Sequence, residues 1–144
     1  MISPLISVQK KAEMTASGDD LWQTAKLFIQ LGKFNQSLTI AYTATQNDPT
    51  QKKLYRQHYL ETMRLGAEFA EEISDYQRAA YYWEQVTQQS SQDVTAWHGL
   101  GIAKANLQDY CGAEMALHRA LQITPGNQKI KQHLIEIQQL LAAR

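Results

Sequence analysis

Residues 97–125 read WHGLGIAKANLQDYCGAEMALHRALQITP, and the spacing inside this stretch decides the fold. Its landmarks are, in order, Trp97, Leu100, Gly101, Tyr110, Ala113, Leu117, Ala120 and Pro125. Moving back 34 positions, Ala67, Tyr76, Ala79, Trp83, Val86 and Ser91 stand in the places of Gly101, Tyr110, Ala113, Leu117, Ala120 and Pro125. A period in the range of roughly 20–50 residues marks stacked supersecondary units, none able to bury its apolar face without a neighbour.

A third, weaker copy appears when Phe34 is aligned with Tyr76 and Tyr110. Leu21 then stands for Trp97, Ala25 for Gly101, Ser37 for Ala113, Ala41 for Leu117, Ala44 for Ala120 and Pro49 for Pro125. The chemistry repeats with the spacing: small residues where two helices cross closely, and an aromatic after the turn to plug the pair. Leu31, Gly32, Lys33 and Phe34 interrupt the helical pattern as a glycine-bearing turn between antiparallel helices does. Asp75 and Asp109 precede the aromatics that open second helices, and Asp48 before Pro49 supplies another helix start.

The step from the first copy to the second is 42 residues rather than 34, so eight are extra. Residues 52–59 contain no Gly or Pro, and eight residues add about two helical turns, ~12 Å. The spacing therefore predicts one long helix from Pro49 to about Ile73, basic at its start (Lys52, Lys53, Arg56) and acidic later (Glu61, Glu68, Glu71, Glu72). That order opposes the helix dipole, so these charges are either solvated and paired or turned toward a partner. After Asn127, Ile130, Leu134, Ile137 and Leu141 recur at steps of four, three and four, one apolar stripe of a capping helix over 127–142. The expected organisation is an arm or short helix over 1–17, led by Ser3 and Pro4, then a single domain over 18–143. Its repeats cover about 18–51, 60–93 and 94–127.

Composition narrows the function classes. The 144 residues carry 14 basic and 14 acidic side chains, so no net field draws the chain to nucleic acid or an anionic membrane. RNA binding would want a basic stripe, and only Lys52, Lys53 and Arg56 cluster. No apolar run approaches the ~18 residues of a membrane span. The start of the chain lacks a basic lead-in, and Lys10 and Lys11 interrupt it early, so a cytoplasmic location is expected. The single cysteine, Cys111, excludes an internal disulfide.

Catalytic chemistry finds no foothold. His58, His98, His118 and His133 make no pair at the i, i+4 spacing of a helical metal site. There is no phosphate-cradling glycine loop and no glycine-flanked serine elbow. The carboxylates Glu68, Glu71 and Glu72 read as a solvated helix face. No catalytic residue, cofactor or metal is expected. Trp83 and Trp97 hold core positions. Tyr81, Tyr82 and Trp83 are consecutive, so one of the three must face outward.

The run Trp97, Leu100-Gly101, Tyr110, Ala113, Leu117, Ala120, Pro125 closely resembles a tetratricopeptide repeat, and the resemblance extends from Gly18 to Ala142. It implies an all-α fold, a right-handed superhelical stack of antiparallel helix pairs. It further implies a non-enzymatic scaffold or adaptor that holds a peptide or helical segment of a partner protein in a concave groove. By position, the groove residues would be Trp22, Lys26, Ile29 and Gln30 in the first repeat. The second repeat offers Glu61, Arg64, Glu68, Glu71 and Glu72, and the third Thr95, His98, Ile102, Ala105 and Asn106. Trp22 is open to packing or binding. Members that grip acidic chaperone tails use Lys and Asn clamps, whereas the corresponding places here hold Trp22, Lys26, Leu65, Thr95 and Gly99. The acidic middle of the groove points instead to a partly basic or amphipathic peptide. Small chaperones and assembly factors with three repeats give the alternative, a dedicated chaperone shielding a hydrophobic client segment, acting alone or as a homodimer.

Overall fold

The computed structural model describes residues 18–47 and 52–144. The expected N-terminal arm with Ser3 and Pro4, and the Asp48–Pro49 helix start, lie outside the described residues. Every regular element among those described is a helix: α1 Gly18–Gln30, α2 Phe34–Asn47, α3 Lys52–Glu72, α4 Tyr76–Gln89, α5 Val94–Asn106, α6 Tyr110–Ile123 and α7 Gln128–Ala142. The long helix anticipated from the extra eight residues is α3, 21 residues over Lys52–Glu72. The chain forms two compact units, Met1–Gly66 and Ala67–Arg144, with the boundary inside α3.

In the first unit, α1 and α2 close on Leu21, Trp22, Ala25, Phe28, Ile40, Ala41 and Ala44, with Tyr59 packed against them. Ser37 takes the small-residue position of the repeat, and its buried Oγ donates to the Ala25 carbonyl at 2.8 Å. A hydroxyl fits at this crossing because it finds a partner there.

In the second unit four helix starts are capped by side chains. Asp75, Asp93, Asp109 and Asn127 accept from the backbone N–H groups of Arg78, Ala96, Gly112 and Ile130. Each such cap stabilises a helix by about 1 kcal/mol. Gly101 meets the expectation of a small residue at a close crossing: a Cβ there would stand 2.9 Å from the Leu117 side chain. The stripe on α7 buries Ile130, Leu134 and Ile137 against Ala113, Leu117 and Ala120 of α6, with Leu141 partly covered. Of the three consecutive aromatics, Tyr81 is exposed while Tyr82 and Trp83 are buried. Burial pushes the Tyr82 phenol up to about 12.

The turns from α1 to α2, α3 to α4 and α5 to α6 share one device. Lys33 N–H donates to the Phe28 carbonyl and Gly32 N–H to Ile29. Asp75 and Ser74 do the same to Ala70 and Glu71, and Asp109 and Gln108 to Lys104 and Ala105. This is the paired bonding that ends a helix on one left-handed residue. That residue is Gly32 (φ 73°), Ser74 (φ 59°) or Gln108 (φ 64°). The three lie 42 and then 34 positions apart, so the backbone keeps the two steps read from the side chains.

Candidate functional site

Within the second unit, α3, α4 and α5 enclose an open pocket of about 230 Å³ lined by Glu68, Glu71, Trp83, Thr95, His98, Gly99 and Ile102. Helical periodicity explains the lining. Glu68 and Glu71 are three apart on α3, and Thr95, His98, Gly99 and Ile102 fall at steps of three, one and three on α5, so each set shares a face. Trp83 reaches in from α4 as the inner wall, itself only 2% exposed.

The wall is fixed by a short charge-assisted bond, the Trp83 indole Nε1 donating to Glu71 Oε1 at 2.6 Å. Gly99 makes room for the indole: a Cβ at that position would stand 2.5 Å from Trp83 Nε1 and 2.6 Å from Cε2. Glycine is present because the α5 backbone lies directly against the ring, not because the helix needs an unusual dihedral.

From the pocket lining, His98 Nε2 also stands 2.9 Å from Nδ1 of His133 on α7, the rings tilted by 35° with centroids 5.1 Å apart. Burial, then the His133 ring and the Lys129 ammonium, hold the His98 pKa below its usual 6.5. His98 is therefore neutral at pH 7. The lining holds two carboxylates and no lysine or arginine.

Neither a family model nor a curated protein matches the sequence. Solved structures do match. The first TPR of Spaghetti (RPAP3), bound to an HSP90 peptide, SRMEEVD, aligns over 88% of this chain and 94% of its own at 17% identity, with a TM-score of 0.60. The Sgt2 TPR domain from Aspergillus fumigatus aligns over 87% and 79% at 16% identity, TM-score 0.57. The fold is that of the tetratricopeptide-repeat domains. MamA from Desulfovibrio magneticus RS-1 also aligns, over 95% of this chain and 85% of its own at 14% identity, TM-score 0.58.

In this tetratricopeptide-repeat fold, five residues singled out from the sequence meet in one pocket: Glu68, Glu71, Thr95, His98 and Ile102. Glu72 is exposed on the last turn of α3. Ala105 packs against the α6–α7 core, and the Asn106 side chain donates to the Ile102 carbonyl at 2.9 Å. In the first unit, Trp22 and Ile29 are buried, and Trp22 packs in the α1–α2 core with Lys26 Nζ 5.3 Å from its ring centroid. Gln30 and Glu61 are exposed and Arg64 is half-buried.

Three relationships in the site escaped the sequence. Trp83 shows itself only as a core position, which it also is. Gly99 follows no glycine rule because its reason is a neighbouring ring. The His98–His133 pair joins two helices 35 positions apart, a separation that a search along one helix passes over.

Proposed function

We propose that this chain is a non-enzymatic protein-interaction module of the cytoplasm, holding a segment of a partner protein against the first-helix faces of its repeats. The observation that carries the proposal is the pocket of Glu68, Glu71, Trp83, Thr95, His98, Gly99 and Ile102, built from two first helices with a second helix behind. A site largely formed in advance, with few polar groups around an apolar wall, is the usual form of a ligand pocket. RPAP3 supplies the precedent of a tetratricopeptide-repeat domain holding an acidic peptide. Here the lining is itself acidic, and Thr95 and Gly99 stand where clamp residues would be, so an acidic tail is disfavoured. A partly basic or amphipathic segment suits it, through charge complementarity.

The test is capture of the native partner by the wild-type chain and by a Glu68→Lys/Glu71→Lys variant whose helicity is checked by circular dichroism. The folded variant is expected to lose the partner. Undiminished capture would remove the pocket from the binding face.

A second reading, a dedicated chaperone shielding a hydrophobic client segment, draws on the exposed apolar side chains of Leu27, Tyr42, Tyr81, Met115 and Ile135. Light scattering and client co-expression separate the two. An adaptor leaves client solubility unchanged, whereas a chaperone raises it and can act as a homodimer.

A further inference from the structure

We infer that His98 on α5 and His133 on α7 form a two-histidine site for one late first-row divalent cation, of the Ni(II) or Cu(II) type, which would tie the third repeat to the capping helix. No partner segment in the pocket is required for it. The sequence expectation of no metal came from spacing along single helices, and this pair spans two.

The first ground is distance. His98 Nε2 and His133 Nδ1 are 2.9 Å apart. Imidazole nitrogens hold such ions at about 2.0–2.1 Å, so an ion equidistant from the two would see them at roughly 90°. Adjacent ligands of a tetragonal sphere meet at that angle, and imidazole in that geometry suits Cu(II) and Ni(II). A tetrahedral ion would need the nitrogens about 3.3–3.4 Å apart at the same bond length. The rings, tilted by 35°, must swing so that both lone pairs turn to a shared point beside the line joining them.

The second ground is the proton inventory. A neutral pair carries two ring protons, one between the rings and one on the outer nitrogen of the accepting ring. The ion takes the place of the shared proton, which passes through water to the outer nitrogen of its own ring, Nδ1 on His98 or Nε2 on His133. Both rings end as neutral ligands and no proton is released.

The third ground is support with access. Ile130, Leu134 and Ile137 anchor α7 against α6, and His133 falls among them in sequence. On α5, Leu100 is buried and the backbone at Gly99 lies against the Trp83 ring. Both backbones are therefore held, while both histidines are only half-buried and His98 borders an open pocket. Ligands fixed on packed helices lose little freedom when the ion arrives. Among the described residues no cluster of three or more His, Cys, Asp or Glu could hold a metal, so water fills the remaining coordination positions. Lys129, exposed on α7, places its charge against His98 and so opposes a dication.

The probe is nickel chloride, titrated calorimetrically into the full chain carrying Cys111→Ser, which removes the exposed thiol as a competing ligand. One Ni(II) per chain is expected. His98→Gln and His133→Gln, each checked for helicity by circular dichroism, should weaken binding by about tenfold or more, since each removes one of the two protein ligands. His118→Gln should leave it unchanged and Lys129→Gln should tighten it. Ni(II) should also raise the urea midpoint of the Cys111→Ser chain but of neither pair variant. Binding that survives in both pair variants, is lost in His118→Gln, is matched by Mg(II), or never saturates overturns the inference. Should the pair variants fail to fold, the Cys111→Ser chain decides alone: paramagnetic broadening that begins at the His98 and His133 ring resonances supports the site, and broadening that begins elsewhere removes it.

Discussion

His98 on α5 and His133 on α7 face each other with Nε2 2.9 Å from Nδ1, a bond in which one ring must donate and the other accept. Doubly protonated rings would set donor against donor. Lys129 adds to the repulsion. The folded-state pKa of His98 is depressed, so the neutral ring contributes its full stability above the unfolded value of about 6.5. That contribution is lost as the pH falls through the folded pKa. Urea midpoints should drop from about pH 7 to about pH 5, and drop less in His98→Gln. An identical decline in the variant would dissociate the pair from the pH response.

Gly99→Ala sets two effects against each other. Alanine is the better helix former by about 1 kcal/mol, but its Cβ would lie 2.5 Å from Trp83 Nε1 and 2.6 Å from Cε2. Overpacking of a fixed ring costs about 1–3 kcal/mol, so the variant is expected to be less stable. Gly126, where a Cβ would meet nothing within 4 Å, is the control. Gly126→Ala should be neutral or stabilising by up to about 1 kcal/mol. Equal denaturation midpoints for the two variants would contradict the close approach.

Trp83→Ala removes a buried wall and strands Glu71, and should cost about 3–5 kcal/mol of unfolding free energy. Trp83→Phe keeps most of the apolar contact but not the indole donor. Its cost should be smaller, about 1–3 kcal/mol, set by the partly buried carboxylate left without its bond. Chemical denaturation of both variants distinguishes packing from hydrogen bonding. Equal losses would assign the whole effect to packing.

Ser74 and Gln108 hold left-handed dihedrals, φ 59° and 64°, that cost a residue with a Cβ about 1–2 kcal/mol. Ser74→Gly and Gln108→Gly relieve that cost but add freedom to the unfolded chain, roughly 0.5–1 kcal/mol against it. Each is expected to raise stability by about 0.5–1 kcal/mol. Gly32→Ala, at φ 73°, should lower it. Thermal midpoints moving the other way would show that the side chains present contribute more than the dihedral costs.

How much could be read beforehand varied with how local each cause is. The α7 stripe of Ile130, Leu134 and Ile137 and the crossing at Gly101 are written in spacing, and the structure places them where spacing put them. Gly32 announced its turn, whereas Ser74 and Gln108 gave no such notice, because serine and glutamine there are held left-handed by the bonding around them. Five of the seven lining residues were legible as helix faces on α3 and α5. Its inner wall was not, since the same Trp83 that fills the core also borders the cavity, and one letter cannot show both sides of a ring. Trp22 is the converse. The groove face of α1 was open to packing or binding there, and the side chain lies in the α1–α2 core.

Asp75 and Asp109 each finish one helix with their backbone N–H and begin the next with their side chain. No slack exists at either joint, so lengthening it by a single residue must break one of the two bonds. These hairpins should therefore reject insertions that loops of equal exposure elsewhere would absorb. A short tag placed beside Gly126 should leave the chain folded, whereas the same tag after Ser74 or Gln108 should not, making the tightest corners of the protein the least suitable places to splice it.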